Sequence, residues 1–207
     1  MNKTLISIAI LVLAEQIVLG WNPSADRFTW FMENVPVWIG FILIGLTHRK
    51  FPLSKLCLIL LAIHSLILAI GGHYTYAKVP LGDWARDAFH LARNHYDRLG
   101  HFAQGFVPAI LFREILVRRL KLRGFAVALL SVACCVAFSA FYELIEWWTA
   151  LASGEGATAF LGTQGDVWDT QWDIFLALVG SIVSLLTLTR VHDASIRQVA
   201  GKEPVVG

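Results

Sequence analysis

Asp97, His101, Gln104 and Pro108 follow one another at spacings of four, three and four residues, which on a helix puts them along one stripe. Two more acidic pairs have helical spacing: Glu143 and Glu146, which share a face with Ser139, and Asp169 and Asp173. His73 closes an apolar run. Imidazole with carboxylate suits zinc, manganese or iron, whereas an all-oxygen subset suits calcium or magnesium. Acids three or four apart on facing helices are also how helix bundles build two-metal sites. The chemistry in prospect is a divalent metal held by His101, Glu146, Asp169, Asp173 and His73. Such a metal would lower the pKa of a bound water and leave Glu143 or Asp97 as general base. So many acids in one place repel, and desolvation adds to the cost. Protonation, pairing with Arg86, Arg93 or Arg98, or a bound cation would relieve it.

The elements that must position these residues are membrane helices. The chain has 207 residues, 57% hydrophobic and 15% charged, with a mean hydropathy of +0.62; soluble domains average about 25% charged residues. Apolar runs predict about six spans, near 4–20, 30–46, 53–72, 97–117, 125–151 and 168–189, in one transmembrane domain with a polar tail over 190–207. The fold class is therefore all-α, a polytopic helix bundle whose first partner is the lipid bilayer. The first span reads as a retained helix rather than a signal peptide, because Glu15 and Gln16 interrupt it and signal cores are shorter and purely apolar. Glu15 is either a buried partner or a lone contact with lipid head groups. Pro108 predicts a kink in the fourth span. The polar connection from Ala77 to Arg93 carries a short interfacial helix capped by Asp83, with Trp84, Ala88, Leu91 and Ala92 on one side. Ser153 to Gly165, with four glycines, reads as a loop.

Orientation follows from lysine and arginine. Of the 17 basic residues, only Arg27, Lys78, Arg86, Arg93 and Arg98 fall on one side; the rest, with both termini, are expected in the cytoplasm. Of the 15 acids, only Glu114, Asp193 and Glu203 belong to that cytoplasmic side. Trp21, Trp30, Trp147, Trp148, Trp168 and Trp172 sit at the outer helix ends, as an aromatic belt would. With this topology His73, Asp97, His101, Glu143, Glu146, Asp166, Asp169 and Asp173 all converge near the outer face. Each has a plainer reading. Asp166 and Asp169 suit loop and cap positions, and His73 and His95 suit ordinary hydrogen bonds. His48, His64, His90 and His192 are given no role. Cys57, Cys134 and Cys135 lie in apolar runs with no CxxC spacing, and read as small buried side chains.

Three blocks point further: Asn94-His95-Tyr96-Asp97-Arg98-Leu99-Gly100-His101-Phe102-Ala103-Gln104-Gly105-Phe106, Tyr142-Glu143-Leu144-Ile145-Glu146-Trp147, and Phe160 through Asp173. With them the chain resembles, over nearly its whole length, the YjdF family of bacterial inner-membrane proteins. The resemblance implies a six-span protein of the inner membrane and assigns no activity.

There is no Walker loop, Rossmann fingerprint, HExxH or GxSxG, and no basic tract for nucleic acid. Three functions stay open. One is a metal-dependent hydrolase acting on a lipid or envelope metabolite at the outer leaflet. Another is a non-catalytic chaperone, partner subunit or sensor whose polar cluster is structural. The third is a cation-coupled transporter, although transport sites usually lie near the midplane and no internal repeat is evident.

Overall fold

The computed structural model describes residues 3–153 and 165–200, and its elements there are helical throughout. In chain order they are α1 (Lys3–Trp21), α2 (Arg27–Thr47), α3 (Lys55–Tyr74), a 3-10 turn (Tyr76–Lys78), α4 (Pro80–Phe89), α5 (Tyr96–Arg118), α6 (Phe125–Ser153) and α7 (Asp169–Ala200). Helices α1, α2, α3, α6 and α7 are each long and apolar enough to cross a membrane. The glycine-rich connection falls almost wholly outside the described residues, as does the tail beyond Ala200. Helix α7 does not stop near Thr189 but continues to Ala200.

Helix α5 is the axis of the bundle. It packs chiefly on α7, then on α6 and α3, while α1 and α2 lean on α3. Its 23 residues make it about 35 Å long at 1.5 Å per residue. It is too polar to register as a span by hydropathy, because Asp97, His101, Gln104, Arg113, Glu114 and Arg118 turn inward among its neighbours rather than toward lipid. The α5–α7 contact is made by bare backbone. A Cβ on Gly105 would lie 1.9 Å from the Ala177 carbonyl oxygen, and one on Gly180 would lie 2.1 Å from that of Phe102. Small residues drive close helix packing where lipid removes the hydrophobic incentive. Here they bring the first turns of α5 and α7 side by side.

The connections are pinned locally. Asp26 caps α2, accepting from the Thr29 amide at 2.9 Å and the Thr29 hydroxyl at 2.6 Å, which holds its carboxyl below the usual range. Ser54 caps α3. Helix α4 begins at Pro80, earlier than a cap at Asp83 requires; Asp83 sits inside the first turn and binds Arg86 and Asn94 instead. Asn94 is buried, donates to the Val79 carbonyl and accepts from the Tyr96 amide, so it ties α4 to the start of α5. A second polar seam joins α1, α2 and α3. The Ser65 hydroxyl donates to Glu15, Gln16 donates to Asn34 at 3.0 Å, and the Trp38 indole donates to Gln16 at 2.8 Å. Glu15 is thus paired inside the bundle.

Candidate functional site

At one end of the bundle α5 and α7 begin and α6 ends, and four acids meet one imidazole there. His101 Nε2 stands 3.7 Å from Asp97 Oδ1, 3.7 Å from Glu143 Oε1 and 3.9 Å from Asp173 Oδ2. Asp97, His101 and Asp173 present ligand atoms within 4.8 Å of one another, and so do His101, Glu143 and Glu146. Two tetrahedral ligands each ~2.1 Å from one ion stand ~3.4 Å apart, so a small inward shift would let either set close on a cation. His101, Glu143 and Asp173 are buried, with Asp97 and Glu146 partly so.

The cluster is poorly satisfied by protein alone. Among the described residues, His101 Nδ1, Glu143 Oε1, Asp173 Oδ1 and the neighbouring Ser139 Oγ are buried with no hydrogen-bond partner. Buried polar groups in native folds are nearly always paired, and an unpaired buried charge costs several kcal/mol. The nearby arginines engage an outer pair of acids. Arg93 binds Asp169 at 2.5 Å and approaches Asp166 at 3.5 Å; Arg98 binds Asp166 at 2.9 Å and lies 5.1 Å from the Trp172 ring centroid. Arg86 pairs with Asp83 and Asp87 of its own helix. His95, at the N-cap of α5, is held below its ordinary pKa by burial and by Arg98 and Arg93. The cluster is reached from a cavity of about 550 Å³ between α6 and α7, lined by Glu143, Glu146, Trp147, Asp169, Thr170 and Ile174 among others.

Of the residues singled out by type and spacing, Asp97, His101, Glu143, Glu146 and Asp173 come together. Asp169 lies at the rim, joined to Arg93. His73 is elsewhere: Nδ1 lies 2.7 Å from the Leu19 carbonyl oxygen and Nε2 3.4 Å from Ser24 Oγ, which fastens α3 to the α1–α2 turn. Glu33 is the acid that spacing did not single out. It is buried on α2 and accepts from the Tyr142 hydroxyl at 3.0 Å, one residue from Glu143. A carboxylate inside an apolar span was its available signal.

The opposite end holds a second polar cluster of another character. Fully buried Glu114 accepts from the Ser54 amide at 2.7 Å, the Ser54 hydroxyl at 2.5 Å, His192 Nε2 at 3.0 Å, and Arg118. Arg113 donates to His192 Nδ1 at 3.0 Å and to Asp193 at 2.6 Å. With Nδ1 accepting, His192 is the neutral tautomer that donates through Nε2. Here each carboxylate oxygen of Glu114 is bonded, and the network clamps α3, α5 and α7. Between the two ends lie the buried apolar residues Val107, Ala109, Ile110 and Ala177, together with the buried serines Ser131, Ser181 and Ser184.

The fold and this polar interior define a class: a polytopic helical membrane protein with a His/Asp/Glu cluster at one end. More particularly, the chain belongs to the family described as predicted membrane protein (DUF2238), whose model matches residues 4–194. It is 51% identical over 174 residues to the inner membrane protein YjdF of Escherichia coli (strain K12), an alignment covering 84% of this chain and 83% of that protein. No solved structure matches it.

Proposed function

We propose that this chain is a multi-pass protein of the bacterial inner membrane, with both termini cytoplasmic, whose acidic end holds a divalent cation and hydrolyses a lipid or envelope metabolite at the outer leaflet. The observation that supports this is that His101, Glu143 and Asp173 each carry a buried, unpartnered atom where two potential ligand sets, Asp97–His101–Asp173 and His101–Glu143–Glu146, meet at His101. His101, Asp173 and Asp97 act as ligands, with Glu146 beside them in the second set that shares His101. Zinc, manganese or iron fits this mixed donor set better than calcium or magnesium. Glu143 lines the α6–α7 cavity and would serve as general base toward a water that a bound metal had made more acidic. Asp169, held by Arg93, shapes the rim.

A structural network is the competing reading, and the Glu114–His192 clamp favours it to the extent that this chain does build such networks. The difference is satisfaction: the clamp is hydrogen-bonded, whereas the acidic cluster has orphaned atoms. Coupled transport is disfavoured because the acidic clusters lie at the two ends of the bundle, whereas transport sites usually lie near the midplane. The test is metal content of the detergent-purified protein by elemental mass spectrometry, beside a Glu143→Gln, Asp173→Asn variant. Near-stoichiometric metal in the wild type, lost from a folded variant, is the expected result. No metal in either after reloading refutes the site.

A further inference from the structure

The acidic cluster has an opening in the side of the bundle. On α6 its cavity is lined by Ala140, Glu143, Leu144 and Trp147 among others. Their spacing is that of one helical stripe, so α6 presents the acid and its apolar neighbours together. Glu143 is buried, whereas Leu144 and Trp147 are 43% and 53% exposed on a helix long and apolar enough to span a membrane. Among the described residues the lining holds the carboxyls of Glu143, Glu146 and Asp169 and no basic side chain.

Depth decides what lies outside this opening. Helix α6 has 29 residues, about 43 Å at 1.5 Å per residue, against a hydrocarbon core of ~30 Å. At most ~13 Å of it can project beyond the core on one side. Glu143 lies ten residues before Ser153, the last residue of α6, which is about 15 Å. Wherever α6 sits while still spanning the core, Glu143 is level with hydrocarbon, and the edge beside it at Leu144 adjoins lipid rather than water. The approach along the bundle axis is crossed by ion pairs. Arg93, just before α5, and Arg98, in its first turn, bind Asp169 and Asp166 at the head of α7, and these four side chains are only 5% to 26% exposed.

We propose that a lipid enters this site sideways, between α6 and α7, and that the substrate is a glycerophospholipid of the adjoining leaflet rather than a water-soluble metabolite. Its role as substrate rests on the hydrolytic reading above; its lateral entry does not. A soluble metabolite must leave water and pass the ion pairs to reach Glu143. A phospholipid is already held at this level by its chains. Asp169 and Thr170, at the head of α7, meet its polar head, while Ala140, Leu144 and Ile174 meet the upper part of its chains. A head group with both an ammonium and a phosphate suits a lining of carboxylates that also holds a cation. Hydrolysis adds water across one ester bond of that lipid: hydroxide goes to the acyl or phosphoryl centre, and the proton to the leaving alcohol oxygen.

The probe is a phosphatidylethanolamine with a diazirine next to the glycerol in one acyl chain, reconstituted with the full chain in liposomes and photolysed. Labelled peptides are mapped in the wild type and in Ala140→Trp and Ile174→Trp, which fill the opening from either wall and lie outside both ligand sets. The reference is the exposed Ile17–Val18 face of α1, toward the same end of the bundle. The expected result is labelling at Leu144, Trp147 and Ile174 about tenfold above that reference, a modest preference over bulk lipid. It is competed by unlabelled phosphatidylethanolamine, untouched by the water-soluble glycerophosphoethanolamine, and lost in each variant that stays monodisperse. Labelling no greater than the reference, or competed equally by the soluble head group, overturns the proposal; both readouts need only the wild type, so they decide it even where a variant misfolds. Metal content of the same samples separates the two proposals. Specific labelling without metal leaves lateral entry standing and removes the metal site, and metal without specific labelling does the reverse.

Discussion

The acidic cluster makes a quantitative prediction about stability. In Glu143→Gln, Asp173→Asn, two buried carboxylates become neutral amides of nearly the same shape. Carboxylate atoms in each ligand set lie within 4.8 Å of one another. Two like charges at that distance repel by about 3–4 kcal/mol at an effective dielectric of about 20. A cation present at 100 times its Kd stabilises the fold by about 2.7 kcal/mol. At roughly 2–4 °C per kcal/mol for a chain of this size, stripping the metal should lower the wild-type Tm by about 5–11 °C. The double variant has fewer charges to gather and no metal to lose. It should show no response to chelator, and it should melt at or above the chelated wild type. The assay is thermal unfolding of detergent-solubilised protein, followed by intrinsic fluorescence with and without chelator and after reloading with zinc or manganese. A wild type indifferent to chelator and to reloading, with a variant less stable than it, would refute the reasoning, because the carboxylates would then be net hydrogen-bonding assets without a cation.

Three other outcomes follow from the same geometry. Glu114→Gln leaves Arg118 and His192 facing an amide inside a buried network, and breaking one partner of such a network costs about 3–5 kcal/mol; size-exclusion profiles should show a large loss of monodisperse protein, unlike Glu33→Gln. Gly105→Val drives a side chain into the Ala177 carbonyl and should separate α5 from α7, so that metal content and Tm fall together, whereas Gly40→Ala, where a Cβ meets nothing within 4 Å, should change neither. His95 is a base whose folded pKa is lowered, so its neutral form stabilises the fold above its unfolded pKa of about 6.5, and that contribution is lost as pH falls below this value. Tm measured from pH 7.5 to 5 should therefore fall less steeply in His95→Gln than in the wild type.

Much of the site was legible because helical periodicity is local. Asp97 with His101, Glu143 with Glu146 and Asp169 with Asp173 share faces whatever the helices pack against. Antiparallel spans bring the start of α5, the end of α6 and the start of α7 to one level. Composition established the membrane class, and the clustering of acids at one end could be counted along the chain. Pairing across helices was not legible in that way. His73 has the right type and depth for the cluster, yet the Leu19 carbonyl and Ser24 engage it. Arg93 and Arg98 were expected to pair with acids of the cluster and do so, but which acids each takes, Asp169 and Asp166, is set by the approach of α7 to the start of α5. His192, given no role by its position in a polar tail, lies on the extended α7 and bonds Glu114, 78 residues away.

The amino-acid sequence by itself determined that this is a helical membrane protein with imidazole and carboxylates stacked at one end. Apolar run length and the 3.6-residue repeat are properties of single helices. Only the tertiary structure decided which carboxylate oxygens remain without partners, that Glu33 bonds Tyr142 beside them, and that an apolar cavity opens among α1, α2, α3, α5 and α6. Those outcomes depend on how closely helices approach and which faces they turn together, and here bare backbone at Gly105 and Gly180 sets the approach of α5 to α7.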